Sequence, residues 1–173
     1  MPHSFPKAGQ VTAWALVAGQ ALLLAGLLWL PGPRAWATPP WAVSTAVAVL
    51  ALAALVAVAG LAGLGRGLTA SSLPAPAAKL RTTGVYACMR HPIYSALLLG
   101  GAVFVMLGGR SSRVWVWVAL LALLLIKIRI EEAALVDRFP DYRSYADKTP
   151  RLVPSPRRCL AQWRRPARER RFR

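Results

Sequence analysis

Two long apolar runs without a charged residue occupy the first third of the chain. Residues 11–30 form a 20-residue run whose one strongly polar member is Gln20, and residues 41–64 form a 24-residue run with nothing more polar than Ser44 and Thr45. A helix of about 20 apolar residues crosses the roughly 30 Å hydrocarbon core of a bilayer. The chain is also 56% hydrophobic and 16% charged over its 173 residues, which is outside the usual range for a soluble domain. These features predict an all-α integral membrane protein.

Two shorter apolar runs follow, at residues 93–108 and 114–126, with lengths of 16 and 13 residues. The turn-like sequence GGRSSR at residues 108–113 separates them, which predicts a tight helical hairpin. The chain would then have about four transmembrane helices. Because 16 residues reach only about 24 Å as a helix, the hairpin spans fully if its polar flanks snorkel or the bilayer thins. The alternative is a re-entrant hairpin.

The first apolar run has a second interpretation as a cleaved signal peptide. Residues 35–37 read Ala-Trp-Ala, like a small-residue cleavage site, and Lys7 supplies a weakly basic start. The run is longer than a typical signal core, however, and its removal would leave three spans with the basic tail on the wrong side of the membrane. The sequence therefore favours a retained membrane helix.

Charge predicts the orientation of these helices. All six acidic residues lie after position 130, and 14 of the 22 Lys and Arg residues lie from Lys127 onward. Basic segments close to membrane helices stay in the cytoplasm. Four crossings would place both termini there, together with the connection that carries Arg66, Lys79, Arg81 and Arg90. Arg110 and Arg113 oppose this assignment, because they would lie on the far side.

The C-terminal tail is the most basic part of the chain. After Pro154 it carries eight Arg residues against one Glu. A polybasic stretch beside a membrane helix binds anionic lipid headgroups, and no nucleic-acid motif supports the alternative, so no nucleic-acid partner is expected. Cys88 and Cys159 are the only cysteines. They predict neither a disulfide framework nor a zinc site, and no metal is expected.

Two polar clusters flank the predicted hairpin. The first is RHPIY at residues 90–94, in which Pro92 suits the first turn of a helix. The second is EEAAL at residues 131–135, on a helix that should end before Pro140. Ionisable residues at the ends of membrane helices are costly and are functional candidates by default. The hairpin would return both clusters to the same membrane surface.

The alternatives for each cluster alone are structural. Arg90 can simply snorkel and His91 can cap the helix. Glu131 and Glu132 point about 100° apart on a helix, so we expect that they do not face the same partner. One would face the interior, and the other would pair with Lys127, Arg129 or Arg138.

RHPIY, EEAAL and the following DYRSYADKTPRLVP together resemble the isoprenylcysteine carboxyl methyltransferase and phospholipid methyltransferase family over residues 80–154. One departure is Ala96, which stands where the family pattern has Gly. The resemblance implies a helical membrane core that binds S-adenosylmethionine at the cytoplasmic face and methylates a lipophilic acceptor. It implies catalytic roles for Arg90 and Glu132. The cofactor-binding residues that it implies are Tyr86, His91, Pro92, Tyr94, Glu131, Leu135, Tyr142 and Tyr145.

The predicted organisation has three parts. Residues 1–79 form a two-helix membrane region with its connecting loop, residues 80–154 form the methyltransferase core with a cytoplasmic C-terminal helical segment, and residues 155–173 form the Arg-rich tail. The predicted function is S-adenosylmethionine-dependent methyl transfer to a membrane-partitioned carboxylate, thiol, amine or phospholipid. The alternative is a non-catalytic membrane scaffold or subunit that keeps the family core.

Overall fold

The structure, a computed structural model, describes residues 7–67, 69 and 79–164. Over these residues it is helical, apart from loops and one isolated bridge between Arg34 and Arg110. The basic residues beyond 164 and most of the connection after residue 67 lie outside this range. The helices are α1 Lys7–Trp29, α2 Pro40–Leu64, α3 Val85–Cys88, α4 Pro92–Gly108, α5 Ser111–Arg138, α6 Tyr142–Lys148 and α7 Pro156–Arg164. The all-α prediction is confirmed.

Among the described residues, two helices are long and apolar enough to cross a membrane. They are Gly9–Trp29 within α1 and Pro40–Leu64, which is the whole of α2. Only 11% of the apolar window in each is buried inside the protein, so most of their apolar surface is left for another apolar medium. Helix α4 has 17 residues, which corresponds to about 26 Å. The prediction that α4 and α5 also cross the membrane stays a prediction.

Helix α2 packs closely against α4 through small side chains. Its buried residues are Ala42, Ala46, Ala53 and Gly60, at intervals of four and seven that place them along one face of the helix. A Cβ atom at Gly60 would lie 3.0 Å from the Ile93 side chain. Small residues let apolar helices approach in this way. This contact fixes the start of α4 beside the end of α2.

Helix α5 packs against both α1 and α4. Leu27 from α1, Leu98 from α4, and Leu120 and Leu124 from α5 form the buried hydrophobic cluster. The Trp117 indole donates a hydrogen bond to the Leu98 carbonyl at 2.9 Å. Helix α5 ends at Arg138, before Pro140 as predicted. It is longer than the apolar run because helical structure continues through the second polar cluster.

The hairpin turn lies at one end of the helices, and the polar clusters lie at the other. Gly109 adopts a left-handed conformation with φ of 61° and ends α4, which suits a residue without a Cβ. The loop between α1 and α2 is at the same end, because the Ala35 amide donates to the Gly109 carbonyl at 2.7 Å. The ends of α2 and α5 and the start of α4 therefore meet at the opposite end.

The cysteines correct one prediction. Cys88 in α3 and Cys159 in α7 form a disulfide, with their Cα atoms 4.9 Å apart. The prediction of no disulfide was wrong because 71 residues separate the two positions, and nothing in the sequence shows that α7 folds back onto α3. In a reducing cytoplasm the same pair would be kept as thiols.

Candidate functional site

The C-terminal segment holds the first polar cluster in place through backbone hydrogen bonds. The Arg90 amide donates to the Pro150 carbonyl at 2.9 Å, and the His91 amide donates to the Arg151 carbonyl at 3.0 Å. The Ser95 hydroxyl donates to the Leu152 carbonyl at 2.6 Å. Pro92 begins α4 as predicted. The end of α4 that carries the cluster is thus fixed by residues far along the chain.

Glu132 is the centre of a buried ionic cluster. Its carboxylate lies 3.2 Å from Arg90 Nη1 and 3.2 Å from His91 Nε2. Arg151 donates two hydrogen bonds to Glu132 Oε2, from Nε at 3.0 Å and Nη2 at 2.8 Å. Glu132, the glutamate that faces the interior, therefore pairs with Arg90 and Arg151. The pairing of the other glutamate with Lys127, Arg129 or Arg138 stays a prediction. Arg90 and Arg151 are distant in sequence, so helical spacing could not identify them.

The environment of Glu132 keeps its carboxyl ionised. Burial opposes the charged form, but the hydrogen bonds from His91 and Arg151 and the positive charge of Arg90 outweigh it and lower the pKa to about 2. The hydrogen bonds that Arg151 donates to Glu132 raise the pKa of Arg151. Because the carboxylate carries no proton at neutral pH, the His91 nitrogen beside it must donate.

His91 contacts both carboxylates of the second cluster. Its Nδ1 lies 3.8 Å from Glu131 Oε2, while its Nε2 lies 3.2 Å from Glu132 Oε1. The expectation that the two glutamates do not face the same partner was therefore wrong, because both lie beside His91. The imidazole has nitrogens on two sides of the ring, so it can lie between neighbouring carboxylates that point in different directions. Its ring also stacks on Tyr94, with centroids 5.5 Å apart.

Glu131 is more accessible than Glu132. The Tyr94 hydroxyl donates to Glu131 Oε2 at 3.0 Å, and the Glu131 side chain remains 30% exposed against 10% for Glu132. The two clusters are thus joined across the hairpin, as predicted. Of the two glutamates, Glu131 is the one that faces open space.

Tyr86, Tyr142 and Tyr145 lie around the open space that Glu131 faces. The Tyr86 hydroxyl donates to the Gly60 carbonyl at 3.1 Å, and the Tyr145 hydroxyl donates to the Tyr86 carbonyl at 2.7 Å. Tyr142 is 2% exposed and packs edge to face against Tyr145. Burial raises the pKa of Tyr86, Tyr142 and Tyr145, so their hydroxyls stay protonated. The short helix α6 is therefore part of the site wall.

Two cavities share the wall formed by the clusters. The smaller measures about 90 Å³ and lies toward α6. The larger measures about 430 Å³ and lies among α1, α2, α4 and α5. Residues lining both are Leu64, Thr69, Tyr86, Arg90, His91 and Glu131. Leu135, Tyr142 and Tyr145 line only the smaller cavity, and Pro92 and Tyr94 line only the larger.

The structure places nearly all predicted site residues on these walls. The exception is Glu132, which lines neither cavity and contacts two residues that do, Arg90 and His91. The catalytic role of Glu132 stays a prediction. Arg151, Gln20 and Lys127 are among the residues that the sequence did not assign to the site. Arg151 lay within the quoted DYRSYADKTPRLVP segment, whereas Gln20 and Lys127, which line the larger cavity, were polar interruptions of apolar sequence.

The model of the isoprenylcysteine carboxyl methyltransferase family matches residues 44–137, which is more than half of the chain. The chain belongs to this family. The match extends from α2 to the end of α5 and includes both polar clusters. No curated protein and no solved structure matches the chain.

Family membership gives the site its chemical class. The isoprenylcysteine carboxyl methyltransferase family implies a methyltransferase that acts on a membrane-associated substrate. With the two apolar helices, it also indicates an integral membrane protein. Tyr142, Tyr145 and Arg151 lie beyond the matched residues, and their contacts alone connect them to the site.

Proposed function

We propose that this chain transfers a methyl group from S-adenosylmethionine to a lipophilic acceptor that reaches the site from the bilayer. The observation that carries the proposal is the pair of cavities with a common wall. The smaller is bordered by the polar α6 segment, and the larger lies among apolar helices. A water-soluble cofactor suits a polar cavity, and a membrane-partitioned acceptor suits an apolar one. The two cavities must also adjoin, because the methyl group passes directly from cofactor to acceptor.

The residues of the common wall fit the amino-acid end of the cofactor. That end carries an ammonium and a carboxylate, and the wall offers the Glu131 carboxylate and the Arg90 guanidinium. Arg90 and Tyr142 interact with each other, and the buried Arg90 Nε and Tyr142 hydroxyl make no hydrogen bond of standard geometry to a described residue. Such atoms accept or donate to a bound polar group at little desolvation cost. Tyr86 and Leu135 add apolar surface.

The size of the smaller cavity limits how the cofactor can bind. About 90 Å³ is below the roughly 300 Å³ at which ligand pockets usually begin. Binding therefore requires part of the larger cavity or an outward movement of α6. We infer that the cofactor extends along the common wall, where Tyr86, His91 and Glu131 belong to both cavities.

The chain's own residues orient the reactants. S-adenosylmethionine supplies a methyl group activated by a sulfonium, whose displacement depends on alignment and electrostatics. Glu131 places negative charge on the wall where the cavities meet. Glu132 holds Arg90 and His91 by ion pairing, and α4 and α5, which meet at the clusters, pack against each other. A site held in this way favours one orientation of its ligands.

A radiochemical assay tests the activity. Membranes that contain the protein would be incubated with methyl-labelled S-adenosylmethionine, and label extracted into organic solvent would be counted. We expect label with wild type, and a loss of about tenfold or more in Glu131→Gln, because one charge-assisted contact is removed. Asp137→Asn, an exposed change on the same helix, should retain wild-type labelling. Labelling no higher than in control membranes would favour the scaffold alternative.

A further inference from the structure

Lys127 is a buried cation in the apolar interior of the protein. It directly follows the apolar run of α5, and only 2% of its surface is exposed. It nevertheless lines the larger cavity, one helical turn before Glu131. Ionisable residues at such positions are costly to retain, and they usually serve a functional pathway or ligand. The proposed role of the common wall does not use Lys127.

The surroundings of Lys127 are suited to a polar ligand group. Its ammonium donates to Gln20 Oε1 at 2.6 Å and lies 5.4 Å from the centre of the Tyr94 ring. Gln20 comes from α1 and is the one strongly polar residue of the apolar run at residues 11–30. A lysine ammonium has three donor hydrogens and no acceptor. It can therefore donate to Gln20 and to a bound group at the same time.

The rest of this cavity is apolar. Beyond the common wall, the residues that line it are Val17, Leu61, Ile93, Leu97, Pro92 and Tyr94, besides Gln20 and Lys127. A volume of about 430 Å³ falls within the usual range of ligand pockets, about 300–1,000 Å³. Beyond the common wall, the cavity thus combines an apolar surface for a hydrocarbon chain with one cationic side chain, Lys127. Arg90 and Glu131 of the common wall add one positive and one negative charge to the same cavity.

We propose that Lys127, supported by Gln20, binds an anionic group of the acceptor, and this inference rests on the proposed function of the site. A carboxylate or a phosphate would gain a charge-assisted hydrogen bond from the ammonium. An acceptor with an ammonium group would meet Lys127 as a like charge in the apolar part of the cavity, which is unfavourable. The Glu131 carboxylate of the same cavity is assigned to the cofactor ammonium under the proposed function. Lys127 therefore selects against amine acceptors, and selection depends on the charge of the acceptor.

A purely structural role for Lys127 predicts something different. If the contact with Gln20 only joined α1 to α5, replacing Lys127 would lower stability without altering which headgroup binds. The distinguishing measurement is therefore a preference among ligands of one chain length. Thermal stability would be recorded in parallel.

The experiment uses the full-length protein in lipid nanodiscs. Binding of hexadecanoate, hexadecyl phosphate, hexadecylamine and hexadecanol would be measured for wild type, Lys127→Gln, Lys127→Arg and Arg129→Gln. Arg129 is exposed on α5 and lines neither cavity, so its variant removes one positive charge elsewhere. Wild type and Arg129→Gln should bind an anion about tenfold or more tightly than the amine or the alcohol. Lys127→Gln should weaken this preference about tenfold, with Arg90 of the common wall as the remaining arginine or lysine of the cavity, and Lys127→Arg should retain it.

Comparison of the two anions identifies the source of the charge, because tighter binding of hexadecanoate indicates a carboxylate and tighter binding of hexadecyl phosphate indicates a phosphate. Equal binding of amine and anion by wild type, or an unchanged preference in Lys127→Gln, would overturn the inference. The first result needs no variant, so the test survives if Lys127→Gln fails to fold. S-adenosylmethionine affinity, measured separately, should change far less in Lys127→Gln than in Glu131→Gln, because Lys127 does not belong to the common wall. Absence of cofactor binding by wild type would contradict the proposed function and leave the anion measurement intact.

Discussion

Two adjacent glutamates on α5 have different physical roles. Glu132 is enclosed by Arg90, His91 and Arg151, whereas Glu131 lines both cavities. The sequence identified the two glutamates as functional candidates. It could not assign different roles to them, because they are adjacent residues of the same helix. The separation depends on Arg151, which reaches Glu132 from beyond the end of α5. Replacing each glutamate should therefore affect a different property.

Glu132→Gln should mainly lower stability. It removes the negative charge that compensates a largely buried Arg90, and breaking such a pair costs about 3 kcal/mol. Asp137→Asn, the exposed control on the same helix, should change stability by less than about 0.5 kcal/mol. Unfolding in detergent by heat or denaturant measures both. Equal stabilities of Glu132→Gln and wild type would show that the ionic cluster does not stabilise the protein.

The stability difference between wild type and Glu132→Gln should change with pH in a predictable direction. The pKa of Glu132 is lowered from its ordinary value of 4.5 to about 2. Its stabilising contribution is therefore fully present above about pH 4.5 and is lost as the pH falls toward 2. The stability gap between wild type and Glu132→Gln should narrow over that window. A gap that widened with acidification would contradict the assigned charge state.

At the scale of elements, the helices could be predicted more fully than the contacts between them. The apolar runs identified α1 and α2, and Pro92 and Pro140 marked the start of α4 and the end of α5. The turn at Gly109 was also visible in the sequence. Helices α6 and α7 were not separately predictable, because short polar helices depend on what they pack against. The docking of residues 150–155 onto the start of α4 is likewise a tertiary effect.

Neighbouring glycines on α4 test the packing of the hairpin. A Cβ at Gly101 would lie 2.9 Å from the Trp117 ring and 3.1 Å from Leu27, whereas a Cβ at Gly100 meets nothing within 4 Å. Gly101→Ala should destabilise the protein by about 1–3 kcal/mol through overpacking. Gly100→Ala should be neutral, or stabilising by up to about 1 kcal/mol through helix propensity. Detergent unfolding of both variants measures this, and equal effects would contradict the described interface.

At the scale of the whole molecule, the C-terminal segment completes the site. Tyr142, Tyr145 and Arg151 come from this segment, and Cys159 of α7 is joined to Cys88 beside Tyr86. The family resemblance included part of this segment, but the disulfide was not foreseeable from two cysteines so far apart. The orientation of the molecule in the membrane stays a prediction based on its basic residues.

The cysteine pair gives a test of how α7 docks. Purified protein that has been mildly oxidised should take up no alkylating reagent until it is reduced, and then two equivalents, because Cα atoms 4.9 Å apart lie within the range that a disulfide bridges. Mass spectrometry of the intact protein counts the adducts. Two adducts without reduction, or disulfide-linked dimers in place of an internal bond, would contradict the docking of α7 on α3.

The most direct test of the account is calorimetric titration of S-adenosylmethionine into detergent-purified protein, with Glu131→Gln and Asp137→Asn alongside. Wild type and Asp137→Asn should bind with equal affinity, and Glu131→Gln should bind about tenfold or more weakly, since it lacks the carboxylate on the common wall. Folded wild-type protein that binds no S-adenosylmethionine would contradict the central claim that this site is a methyltransferase centre.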